Sequence, residues 1–274
     1  MKSVRGLPYF LGVDEAKLQK SMKKGSSKGL QGLSGMREEI MRSGNQVVIQ
    51  NMKYVFDEEA SEKRMSNGHI RDKGNTGRRL KYFANLDQAA RVGLTIAHVA
   101  SLRLYTTPAF EFINNPLRNP NEDQDSDNNE NSQTPHPFPV TVSLIDEGLK
   151  KLRLLNAAKI EKYPTLWRGY KHMKIPDAFI ENRRGGTELG LMSTSDDLAV
   201  AVEYSKSSQG CSLLFKIRIE NLKQCGADIS WLSTVGSERE ILYPPLTFLQ
   251  PTGRVQTVTA QGFFFTVVEL QPHI

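Results

Sequence analysis

Apolar residues recur at helical spacing through the first half of the chain and give way to short, dense apolar runs in the second. From Met36 onward, Ile40, Met41, Val47, Val48 and Met52 form a rough apolar face that predicts helix. The strongest helical stretch is Leu86 to Tyr105, where Leu94, Ala97, His98, Ser101 and Leu102 share a side and Thr95 or Asp87 is placed to cap. A further helix is expected from Asp146 to Ile160, through Leu149, Leu152 and Leu155. Beyond it the pattern shortens. Residues 166–170, 190–195, 212–219, 227–232, 241–243 and 257–270 read as strands, with one helix from Asp196 to Tyr204 among them. Helices followed by strands predict an α+β fold.

Polar stretches punctuate this pattern. Residues 1–35 read as poorly ordered, with a short helix from Asp14 to Lys24 and linker-like glycines and serines at 25–29 and 32–35. The stretch from Lys73 to Arg79 lacks the Gly-Lys-Ser/Thr ending of a phosphate loop and reads as a turn. Residues 119–135 are polar and acidic and cannot offset their ordering entropy, so they read as a disordered surface insertion.

The net charge of +6 over 274 residues is unevenly spread. Residues 1–81 hold seventeen Lys/Arg against nine Asp/Glu, and the remainder is close to neutral. A basic first third fits either a solvated extension or contact with nucleic acid or an acidic surface. Two cysteines, Cys211 and Cys225, cannot make a multi-bridge framework, which fits a reducing compartment, and a single bridge between them stays open. The first residues lack the apolar core of a secretory signal, and no apolar run reaches membrane-spanning length, so an intracellular chain, or one delivered into a host cell, is expected. Five histidines stand singly, so no metal site is expected.

Three stretches carry candidate chemistry. Glu238 and Glu240 flank Arg239 ahead of a strand that Pro244 and Pro245 stop; on a strand they share one face, where two carboxylates repel and separate in pKa or need a cation. Arg168 lies within the aromatic run Leu166-Trp-Arg-Gly-Tyr170, and Ser193-Thr194-Ser195 ends another strand. Each also has a plain reading: a solvated rim, a core ion pair between Arg168 and one of the glutamates, and β-propensity with helix capping.

Taken in order, Arg168, Ser193-Thr194-Ser195 and Glu238-x-Glu240 resemble the R-S-E class of arginine-specific mono-ADP-ribosyltransferases. The likeness extends back to Leu102–Thr106 and Ile113–Arg118, read as a helix-to-strand lead-in, and covers roughly residues 85–270. It implies a basic extension over 1–84 and a catalytic domain over 85–274, with NAD clamped between two packed, mainly antiparallel sheets. It also implies roles. Glu240 stabilises the sugar cation as nicotinamide leaves, Glu238 receives the acceptor guanidinium, and Ser193 fixes the rotamer of Glu240. Arg168, Gly169, Ser193, Ser195 and Tyr105 hold NAD, and the segment Trp231 to Ser237 meets the target. The implied partners are NAD and an arginine-bearing protein. An NAD glycohydrolase, and a non-catalytic module binding nucleic acid through its basic segment, are the alternatives.

Overall fold

The computed structural model describes residues 32–65, 68–119, 135–157, 164–171, 173, 175–206, 212–235, 239–260 and 262–274. The expectations for residues 1–31, for most of the acidic insertion, for Cys211 and for Glu238 fall outside these. The chain divides into two compact units, and neither is continuous in sequence.

One unit is mainly helical and takes residues 32–155 together with 229–235. Its helices are α1 (Leu33–Ser43), α2 (Gln46–Asp57), α3 (Leu80–Ala84), α4 (Asp87–Arg91), α5 (Ile96–Tyr105), α6 (Phe110–Arg118) and α7 (Pro139–Ala157), with a two-stranded ribbon β1 (Lys63–Arg64) and β2 (Ile70–Arg71). Met36, Ile40, Val48 and Met52 are buried as the periodicity required, while Met41 and Val47 are exposed. Four expectations are corrected. The glycines at 32–35 are not all linker, because α1 begins at Leu33. The stretch from Leu86 to Tyr105 is two helices, since Gly93 takes a left-handed φ of 62° and Thr95 starts a new helix in a capping box with His98. Leu102–Thr106 and Ile113–Arg118 belong to helices, not to a helix-to-strand lead-in.

The fourth correction concerns α7, which begins at Pro139, seven residues before Asp146. Its start is capped from far away in sequence: the Glu39 carboxylate accepts from the Val140 and Thr141 amides at 2.8 and 2.7 Å. Burial pushes that carboxyl up while these bonds pull it down. Glu39 thus ties α1 to the start of α7 within the helical unit.

The second unit takes residues 156–228 and 239–274 and holds two sheets. The larger runs β3 (Leu166–Tyr170), β6 (Ser212–Ile217), β10 (Phe263–His273), β9 (Thr247–Ala260) and β4 (Gly186–Glu188) in spatial order. The smaller runs β5 (Met192–Thr194), β8 (Ile241–Tyr243) and β7 (Ala227–Asp228). All pairs are antiparallel except β6 with β10. One core joins the sheets: Leu166, Phe215, Ile217, Val268 and Leu270 of the larger pack with Met192, Ile241 and Tyr243 of the smaller. Each such apolar side chain contributes about 1.5–3 kcal/mol by its burial. The stretch 227–232 is shorter as a strand than its composition suggested, ending at Asp228 before a 3-10 turn at Ser230–Leu232.

Candidate active site

The β-prone residues around Arg168 and around Ser193 form strands β3 and β5, and one antiparallel bridge ties the two. Trp167 N–H donates to the Ser195 carbonyl at 2.7 Å, and Ser195 N–H returns the bond at 3.0 Å. This bridge brings the edge of the larger sheet to the end of the smaller one, and Arg168 and Ser193 meet there. Arg168 Nη1 donates to the Ser193 carbonyl oxygen at 2.6 Å, and its guanidinium carbon lies 4.8 Å from the Tyr170 ring centroid.

Arg168 is half-buried, and its Nε is buried with no hydrogen-bond acceptor among the described residues. None of their carboxylates lies within ion-pair distance, Glu240 included. The other candidate for a core ion pair with Arg168, Glu238, lies outside the described residues. A guanidinium held by a neutral carbonyl, with a buried donor to spare, is suited to an anion with several acceptor oxygens.

Gly169 is fixed by packing. A Cβ there would come within 2.0 Å of the Ala201 carbonyl oxygen and 2.8 Å of Ser205 Cβ, both on α9 (Leu198–Ser205; α8 is Asp177–Ile180). Glycine lets helix and strand approach, and the alternation of Trp167, Arg168 and Gly169 in β3 follows from that fit. The start of α9 is set by the same corner, with Asp197 accepting from Ala199 N at 2.8 Å and Ser195 Oγ accepting from Asp197 N at 3.1 Å.

Pairing in the smaller sheet locates the glutamate. Ser193 faces Leu242 and Thr194 faces Ile241, so Ser195 and Glu240 are the next residues beyond the last pair of the ladder. Ser193 and Ser195 share one face of β5 by alternation. Thr194 points the other way, buried, and donates to the Ile241 carbonyl at 2.8 Å. The strand starts at Ile241, so Glu240 stands half-buried at its lip instead of within it. Glu238 lies outside the described residues.

Tyr105, expected to hold NAD, lies in the helical unit. It is buried there, and its hydroxyl accepts from Asn114 Nδ2 at 2.9 Å and its ring meets Phe110 edge-on. Within that unit, residues 231–235, the described part of the segment expected to meet a target, are strongly held. Arg103 pairs with the fully buried Asp72 at 3.0 Å and donates to the Leu232 carbonyl at 3.1 Å. Asp72 N donates to the Thr234 carbonyl at 2.7 Å, Arg71 bridges Val235, and Thr234 Oγ1 donates to the Thr106 carbonyl. Sequence reasoning missed Asp72 and Arg103, which stand alone in the chain and belong to no motif. It also assigned Arg239 no partner, whereas Arg239 Nη1 reaches Asp196 at 2.7 Å and Nε lies 3.4 Å from Asp228.

Among the described residues no group of three or more His, Cys, Asp or Glu could hold a metal ion, and no helix is long and apolar enough to cross a membrane.

The family model for the ADP-ribosyltransferase exoenzyme matches residues 79–250. No curated protein matches the chain. Among solved structures, the type III effector XopAI from Xanthomonas axonopodis pv. citri is similar with a TM-score of 0.50 and 14% identity, over 93% of this chain and 92% of that one. The ADP-ribosyltransferase HopU1 of Pseudomonas syringae pv. Tomato gives 0.49 and 15%, over 82% and 97%. The Vis toxin, an ADP-ribosyltransferase from Vibrio splendidus, gives 0.44 and 19%, over 71% and 83%.

Proposed function

The chain belongs to the ADP-ribosyltransferase exoenzyme family, and from that premise we propose that it moves ADP-ribose from NAD onto arginine side chains of a target protein. Mono-ADP-ribosyl transfer, with NAD as substrate, is the activity of the family. The acceptor, and the role of each residue, are our reading.

The observation that carries it is the state of Arg168: bonded to the Ser193 carbonyl, with a buried Nε unpaired among the described residues, one strand from Glu240. The diphosphate of NAD offers the acceptor oxygens this guanidinium lacks, and its planar fork can meet two of them at once. Cleavage of the bond between ribose and nicotinamide develops positive charge on the sugar, as in glycoside cleavage. A carboxylate at the lip of β8 stabilises that charge most if its position is set before the reaction. Glu240 takes this role, and Ser193 and Ser195, from the end of the neighbouring strand, are assigned to orient it.

The acceptor follows from Glu238. Arginine is protonated at neutral pH and is a poor nucleophile until its guanidinium is held and loses a proton. A carboxylate two residues before Glu240 can accept that proton; family relatives that modify other side chains carry glutamine there. The target loop is assigned to 231–237, and the helical unit supports it. Because XopAI is a type III effector, delivery into a host cell, where NAD and arginine-bearing proteins are both present, is part of the same proposal. Incubation with labelled NAD and a small guanidine, followed by mass spectrometry, tests the reading. A guanidine adduct one ADP-ribose heavier supports it. Nicotinamide release with no adduct supports a glycohydrolase instead.

A further inference from the structure

Glu240 stands at the entry of the central strand of the smaller sheet. The ladders of β8 with β5 and with β7 both end at Ile241, which faces Thr194 on one side and Asp228 on the other. Glu240 thus stands one residue before the paired part of β8. Arg239, beside it, reaches toward both neighbouring strands. Its Nη1 donates to Asp196, two residues past the end of β5, and its Nε lies 3.4 Å from Asp228 at the end of β7. One guanidinium therefore ties the ends of both outer strands to the entry of the central one.

We infer that Arg239 is a positioning residue, which through Asp196 and Asp228 fixes the backbone from which Glu240 projects. The inference rests on the catalytic reading of Glu240 given above. Arg239 is about half exposed, at 52%, and the two aspartates are 30% and 31% exposed. Pairs this open to water add little to stability. Their geometric effect is different in kind, because a misplacement near 1 Å at a reacting centre can cost about 10²-fold in rate. The clamp should thus be visible in turnover and nearly invisible in melting.

A charge acting through space would leave another signature. Removing the positive Arg239 and removing the negative Asp196 would then shift turnover in opposite directions. A clamp makes both losses equal in sign, and makes them overlap, because either one opens the same bridge.

The test measures NAD cleavage and melting in the full chain for Arg239→Ala, Arg239→Lys, Asp196→Asn and the Arg239→Ala/Asp196→Asn double variant, with Glu240→Gln alongside. Expected are a fall in kcat of about tenfold in each loss variant, a KM for NAD within about twofold of the parent, and no further fall in the double variant. Arg239→Lys, which can reach one aspartate but not both, should recover only part. Parent-like turnover in Arg239→Ala, opposite effects of the two single losses, full recovery in Arg239→Lys, or a fall in kcat that tracks a large loss of melting temperature each overturns the inference. Parent-like turnover in Glu240→Gln overturns the reading beneath it instead, so the two failures are told apart.

Discussion

The Arg168 guanidinium is bound to the Ser193 backbone and not to a carboxylate among the described residues: Nη1 donates to the Ser193 carbonyl oxygen at 2.6 Å. The side chain is thereby aimed without being neutralised, which is what an anion site requires. Arg168→Lys keeps the charge and loses the fork. NAD affinity should fall about tenfold, or about 1.4 kcal/mol, with the fold intact. Calorimetric titration checks this, and unchanged affinity would return Arg168 to a structural part.

Glu240→Gln should abolish most turnover, about 10²-fold or more in kcat, while NAD binding changes little. The carboxylate acts on charge that develops only as nicotinamide leaves. Steady-state rates with fluorescence or calorimetric binding separate the two, and an unaltered kcat removes Glu240 from the chemistry.

Glu238→Gln should separate two activities that the parent couples. Water can capture the sugar cation unaided, whereas arginine must first lose a proton. Free nicotinamide should continue to appear while modified guanidine disappears. A parallel loss of both assigns Glu238 to NAD cleavage, and persistent transfer removes the case for arginine.

Much of this arrangement could be read from the chain, and the unread part has a physical cause. Arg168, the serines and Glu240 lie at strand edges, where short β-prone runs ended by Pro or a helix cap leave local marks. The break at Gly93 left a mark too, but the apolar spacing on both sides masked it. What no local pattern encodes is contact across more than a hundred residues, such as Glu39 capping α7 or Arg103 holding Leu232. Charged residues at such places look like surface residues until their partners are known. The same holds for Arg239, whose partners Asp196 and Asp228 are 43 and 11 residues away.

Gly169→Ala should destabilise the sheet unit by about 1–3 kcal/mol, since a methyl group 2.0 Å from the Ala201 carbonyl forces β3 and α9 apart. Thermal melting reads the loss. The displacement also tilts Arg168, so NAD affinity should fall with it. A variant with parent-like melting would mean that α9 yields easily.

Acid should loosen the helical unit through His136. Its Nδ1 accepts from Phe138 N–H at 2.9 Å, and its Nε2 donates to the Ile113 carbonyl at 3.0 Å, so the neutral ring uses both nitrogens. Burial holds its pKa below the usual 6.5. A base with a lowered folded pKa contributes stability that is full above the unfolded value and is lost as pH falls through the folded one. Melting temperature should decline below about pH 6.5, and more shallowly in His136→Gln. Equal slopes in the two proteins would clear His136 of the effect.

The assignment of residues 229–235 to the helical unit has a consequence for anyone who would cut this protein. The chain leaves the sheet unit after Asp228, contributes Leu232 and Thr234 to partners around Asp72 and Arg103, and returns at Arg239. A fragment ending near residue 155 would lack the carbonyls those groups hold, and would leave a buried ion pair facing an empty slot. A fragment starting there would carry the segment with nothing to dock it. Separate expression of the two pieces should give poorly soluble material, whereas their co-expression should restore a complex.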